Sequence, residues 1–156
     1  MLILHSGQTG VERGAHHGAL AAGLAVAGYM RAECRDELGP LPPDIAARLS
    51  PCPDRGHRAA ATATLELATA VLLVVPDTAV AIRRRSATWI LRGARAKGLP
   101  YRICDVNTGI YEIGPWLETV PVRDGDRRIM VTGPRATRWN AGEAVARRIV
   151  KSLAFL

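Results

Sequence analysis

The sequence predicts a doubly wound α/β fold: one domain over residues 1–156, with a mostly parallel sheet of five to six strands and helices on both faces. Three observations carry this. Short apolar runs alternate with amphipathic stretches along the whole chain. One run, "AVLLVV" (70–75), is apolar at every position, as a strand covered on both faces requires. The first run, "LIL" (2–4), enters a glycine-punctuated turn, "HSGQTG", that opens directly into an alanine-rich helical segment.

The elements follow in order. "LIL" predicts the first strand and Val11 to Leu24 the first helix, with Thr9 as N-cap and Glu12 three residues later completing a capping box. "AVAGYM" (25–30) reads as the second strand. A polar, Pro-rich connection, "RAECRDELGPLPP", leads to a short helical piece near Asp44 to Leu49. In "SPCPDRG", Pro51 and Pro53 argue against regular structure. A helix from His57 to Ala68 precedes "AVLLVV", and a break spans Pro76 to Arg85. "ATWILRGARAKG" is then a helix closed by Gly98. "PYRICDV" is the fourth strand, "IGPWLETV" a short helix, "RRIMVT" the fifth strand and "NAGEAVARRIVKSLAFL" the terminal helix.

Composition narrows the function classes. A hydrophobic content of 48% with 22% charged residues is that of an ordinary globular domain. No apolar run reaches membrane-spanning length and no secretory leader is visible, so a cytoplasmic protein with no membrane partner is expected. Cys34, Cys52 and Cys104 lack metal-ligand spacing and read as reduced thiols. All but Lys97 and Lys151 of the 21 cationic residues are arginines, and the net charge is +7. Arginine's planar fork suits phosphate or carboxylate, so an anionic partner is favoured. With one Phe and three Tyr, stacking platforms for single-stranded nucleic acid are scarce, and nucleic acid is an unlikely partner.

In doubly wound sheets, ligands bind beyond the carboxyl ends of the strands, where strand order reverses. The candidate site therefore lies in the loops that follow strands. In the first, Ser6, Gly7, Gln8, Thr9 and Gly10 form a turn at the mouth of a helix, where amides and the helix dipole favour an anion, and Arg13 follows in the first turn. The turn lacks the lysine of a phosphate-binding P-loop and the spacing of a dinucleotide fingerprint. After the second strand, Arg35 is a candidate anion contact, while Glu33, Asp36 and Glu37 either pair with neighbouring arginines or bind a polar ligand. After the third, "AIRRRSAT" supplies Arg83 to Arg85, Ser86 and Thr88; after the last, Gly133, Pro134 and Arg135 repeat the turn-plus-guanidinium logic. No catalytic constellation and no metal site stand out: His16 and His17 are adjacent and point to different helix faces, and His5 ends a strand.

These segments, His5-Ser6-Gly7-Gln8-Thr9-Gly10-Val11-Glu12-Arg13, "GYMRAECRDELGPLP" (28–42) and Thr132-Gly133-Pro134-Arg135, resemble the opening, second and closing patterns of the molybdenum cofactor carrier family, over nearly the whole chain. That family is a branch of the Rossmann-like, SLOG-related superfamily that includes the LOG proteins. In the second pattern Arg35, Glu37, Gly39 and Pro42 fall on shared positions. Ser6 stands for a family glycine, Glu12 for an aspartate and Arg31-Ala32-Glu33 for Pro-Lys-Gly, and "RRRSAT" replaces a Gly-Gly-Thr cradle. The resemblance implies a Rossmann-like fold, homo-oligomerisation as a dimer or tetramer, and an anionic pterin-type cargo, with molybdenum cofactor (molybdopterin) the first candidate. The missing glycine-rich loop weighs against LOG-type phosphoribohydrolase activity. The expected function is thus a binding or carrier protein for a phosphate-bearing small molecule, with a nucleotide-metabolite enzyme as the alternative.

Overall fold

The computed structural model describes residues 1–81 and 85–156, with the backbone alone for residues 85–88. In chain order these form β1 (Leu2–Leu4), α1 (Val11–Ala21), β2 (Ala25–Ala27), β3 (Tyr29–Met30), α2 (Pro43–Ala46), β4 (Ser50–Pro51) and α3 (His57–Leu67). Then come β5 (Ala70–Val74), α4 (Thr78–Ala81), α5 (Arg85–Ala96), β6 (Tyr101–Cys104), α6 (Ile110–Glu118), β7 (Arg128–Thr132) and α7 (Gly142–Ser152), with a 3-10 turn at Leu153–Phe155. Five strands make one parallel sheet in the order β2-β1-β7-β5-β6, which is the α/β, Rossmann-like architecture the sequence predicts.

The alternation of side chains explains why strands this short hold. In β5, Ala70, Leu72 and Val74 enter one core with Val11, Ala15, Ala146 and Ile149 of α1 and α7. Val71, Leu73 and Val75 enter the other, with Ala61 and Leu65 of α3 and Ile90, Leu91 and Ala94 of α5. Ile129 and Val131 of β7 face the first core and Met130 the second. β5 is therefore apolar throughout and β7 from Ile129 to Val131, because both faces are covered.

Two expectations are corrected. "AVAGYM" is not one strand: Gly28, at a φ of 140°, separates β2, which joins the main sheet, from β3, which does not. Nor does "SPCPDRG" lack regular structure, since Ser50–Pro51 pairs in parallel with Tyr29–Met30. The amides of Ser50 and Cys52 donate to Gly28 and Met30 at 2.9 and 2.8 Å. Residues i and i+2 bond the same neighbour, so the missing N–H of Pro51 falls on the open side, where an edge strand tolerates it. This small sheet, with Met30, Leu41, Ile45 and Leu49 as its own core, sits beside the loop that follows β1.

Helices α1 and α7 approach closely because Gly14 and Gly18 face α7. A Cβ on Gly18 would stand 2.6 Å from the Arg147 carbonyl oxygen, and one on Gly14 would overlap the Glu143 carbonyl. The obstacles are backbone, which cannot rotate aside. Gly18→Ala is expected to lower stability by about 2 kcal/mol, as for an overpacked core. Urea denaturation of the variant checks this, and an unchanged midpoint would contradict the packing.

Candidate functional site

Because β7 inserts between β1 and β5, the segments that follow these three strands meet at the carboxyl edge of the sheet. The chain steps outward from β1 to β2 and from β5 to β6, so the order reverses here. The loop after β1 is organised by Glu12. Its buried carboxylate accepts the amides of Ser6 and Gln8 on Oε2 and the Thr132 hydroxyl on Oε1, each at 3.0 Å. The Gly7 amide donates to His5 Nδ1 at 3.0 Å, and the Ser6 hydroxyl to Thr64 Oγ1 at 3.2 Å. Three successive amides, Ser6 to Gln8, thus have acceptors inside the protein, so an anion at this turn meets side chains rather than these amides.

The predicted cap is also corrected. Gly10, at a φ of 73°, is the N-cap of α1, without a side-chain cap bond. Thr9 instead donates its hydroxyl to Glu37 and accepts the Ala136 amide at 3.0 Å. Gly10 is required because the last loop crosses it: a Cβ there would lie 2.6 Å from the Pro134 carbonyl oxygen and 2.7 Å from the Ala136 amide. Gly133 likewise backs onto the Val74 carbonyl, and Gly7 onto Leu41 and Leu49. The glycines let protein loops touch one another.

The charged residues divide into those committed to the fold and those facing the crevice. Arg13 is ion-paired through Nη2 with Asp36, whose side chain is 2% exposed, so this guanidinium ties α1 to the second loop. Glu33 pairs with Arg31 and Arg55 at 3.8 and 3.4 Å. Glu37 clamps the loops: it accepts from Thr9, from the Thr137 amide and hydroxyl, and lies 3.4 Å from Arg135 Nε. Burial pushes its carboxyl up, but the hydroxyl and amide donors and Arg135 outweigh that and hold it below the usual carboxylate range. Arg35 and Arg135 are exposed at the crevice. Arg83 lies outside the described residues, as do the side chains of Arg85, Ser86 and Thr88, whose backbone belongs to α5.

Two adjoining cavities occupy the crevice. A small one of about 90 Å³ is lined by the loop Ser6 to Thr9, by Arg31, Arg35 and Arg135, and by Asp36 and Glu37. A larger one of about 840 Å³ runs between the ends of β5 and β7, walled by Ala61, Leu73, Val75, Val80, Trp89 and Ile90 and edged by Gly133, Pro134 and Arg138. Gln8, His57 and Arg135 line both. His57 was not anticipated. The topology places it: α3 begins at the carboxyl edge and runs back to the start of β5, so its first residue faces the crevice. A search confined to segments just after strands passes over it, although the breaker "SPCPDRG" marks this helix start. Among the described residues, no group of three or more His, Cys, Asp or Glu is arranged to hold a metal ion. No described helix is long and apolar enough to cross a membrane.

The comparisons bear on the fold and the family. The structure is similar to that of a "Putative molybdenum carrier protein" from Syntrophus aciditrophicus SB, with a TM-score of 0.79 at 17% identity, covering 99% of this chain and 94% of the other. That identity speaks for the fold. No curated protein matches the sequence. The model of the circularly permutated YpsA SLOG family matches residues 3–154. The chain belongs to the circularly permutated YpsA SLOG family.

Proposed function

We propose that the protein binds and carries a small molecule that joins a flat heteroaromatic ring to a phosphate, with molybdenum cofactor the first candidate cargo. The observation that carries this reading is the pair of joined cavities. The compartment bearing Arg31, Arg35 and Arg135 suits the phosphate, and the wall of Trp89, Ile90, Val80 and Leu73 suits the ring. The name of the Syntrophus aciditrophicus protein agrees with such a cargo. Ser6, Gly7, Gln8 and Thr9 form the floor, Gly10 holds the last loop against it, and Gly133 and Pro134 shape the rim beside Arg135. Arg85, Ser86 and Thr88 stay in the proposal on their place in the sequence alone.

Carriage without bond chemistry is favoured over catalysis by the state of the acids. Glu12 and Glu37, the two a base-releasing enzyme would use, already accept donors from several loops. A base-release assay on nucleoside monophosphates separates the readings, since turnover would favour the enzyme. Calorimetry with AMP, a pterin phosphate and inorganic phosphate tests the carrier directly. Arg135→Ala is expected to weaken phosphate-bearing ligands by about 10- to 100-fold, the worth of a charge-assisted contact. Absence of binding by every phosphate compound, or an unchanged affinity in the variant, overturns the proposal.

A further inference from the structure

His57 occupies a position that its hydrogen bonding does not explain. It lines both cavities, at the join between the arginine-bearing compartment and the apolar cleft. Its Nδ1 is sealed from solvent and has no hydrogen-bond partner among the described residues. A buried ring nitrogen without a partner is costly, and because the ring lines both cavities, a small turn of the imidazole would give this nitrogen an acceptor on a bound ligand. We propose that His57 is a ligand contact of this site and that its imidazole takes up a proton when a dianion enters the small compartment. The inference rests on the binding reading above and adds a residue and a linkage to it.

The charges around the ring decide the direction. Glu12 of α1 faces it and favours the cation; Arg31 of the second loop and Arg135 of the last disfavour it. Burial is the largest influence, and together these hold His57 below the ordinary histidine range. Its place as the first residue of α3, at the positive end of the helix dipole, acts in the same sense. Of the other ionisable residues lining the cavities, Arg35, Asp36 and Glu37 belong to the smaller and Asp77 and Arg138 to the larger. The uncomplexed ring is therefore neutral near pH 7. A dianion brought against Arg31 and Arg135 cancels their repulsion and offers the turned imidazolium an acceptor, so the protonated form becomes the stable one. Anion binding and proton binding then strengthen each other by the same factor.

Sulfate is the suitable probe, because it stays doubly charged across the working range whereas phosphate titrates within it. Sulfate affinity, measured by calorimetry between pH 6 and 8, is expected to rise up to about tenfold for each unit of falling pH, the limit for uptake of one proton. In His57→Gln this slope should flatten. In the unaltered protein the His57 ring resonance should titrate at higher pH with sulfate than without, a readout that does not depend on any variant folding. Sulfate binding with a pH-independent affinity, or an unshifted His57 titration, overturns this inference and leaves the carrier proposal standing. A slope that persists in His57→Gln places the proton elsewhere and also overturns it. No sulfate binding at any pH removes the inference, and loss of phosphate compounds as well removes the carrier reading.

Discussion

Glu12→Ala is expected to destabilise the protein by about 3 to 5 kcal/mol and to abolish anion binding with it. The side chain is 1% exposed and lies where three strand-end segments converge. Its carboxylate accepts two backbone amides from the first loop and the hydroxyl of Thr132 at the end of β7. Removing it orphans three donors, two of which, the Ser6 amide and the Thr132 hydroxyl, are in buried bonds. Each lost bond to a charged acceptor is worth about 1.5 to 3 kcal/mol, and part is recovered by relaxation of the loop. Glu12→Gln keeps the shape but not the charge: with its oxygen toward the Ser6 and Gln8 amides, its NH2 group meets the Thr132 hydroxyl, which must turn to accept. It should fall between the wild type and Glu12→Ala. Chemical denaturation gives both values, and the order wild type, Gln, Ala is the expected result. A loss below 1 kcal/mol for Ala would mean that the loop holds itself without Glu12.

Glu12 also shows where the sequence was transparent and where it was not. Its place three residues beyond Thr9 suggested a capping box, a local motif, and the structure uses the same reach-back of a helix glutamate onto preceding amides. What sequence order could not show was that β7 would lie against β1, bringing Thr132 to the same carboxylate from 120 positions away. The sheet itself was legible because period-2 burial and the all-apolar "AVLLVV" report directly on layers. The partners of the charged residues were not. Asp36 and Glu37 lie among local arginines, yet they pair with Arg13 and Arg135 from α1 and the last loop. Charge attraction is long-ranged and indifferent to sequence spacing, so only the topology selects the partner. The same reason hid His57: its role comes from where a crossover helix starts in space.

The second large effect lies beneath that loop, and it is a loss of stability in acid. His5 and His16 are both fully buried, with His5 Nε2 and His16 Nδ1 3.1 Å apart. The Gly7 amide occupies His5 Nδ1 as an acceptor, so the neutral ring carries its hydrogen on Nε2 and donates it to His16. His16 then holds its own hydrogen on Nε2, which has no partner among the described residues. A second proton on His5 would turn Nδ1 into a donor facing the Gly7 N–H and would break the turn. Burial, followed by the influence of His16 and His17, lowers His5 from 6.5 to about 3. Burial and His17 also lower His16, against an opposing pull from Asp44. Histidines held neutral in the fold bind protons more tightly once unfolded, so their contribution is complete above pH 6.5 and is lost as pH falls towards the folded value. His5 alone removes about 2 kcal/mol by pH 5, at about 1.4 kcal/mol for each pH unit below 6.5, and His16 acts in the same direction. The interval from pH 6.5 to 5 separates the buried histidines, His57 included, from the carboxylates, because Glu33, Glu37, Asp105 and Asp126, held below the usual carboxylate range, release their share only at lower pH. Urea midpoints measured at pH 7.5, 6.5, 5.8 and 5 should be level down to 6.5 and then fall. In His5→Gln the fall should shrink to the part due to His16 and His57. A flat profile from pH 6.5 to 5 would show that the imidazole pair accommodates a proton, and the loop above it would then not depend on the neutral state of His5.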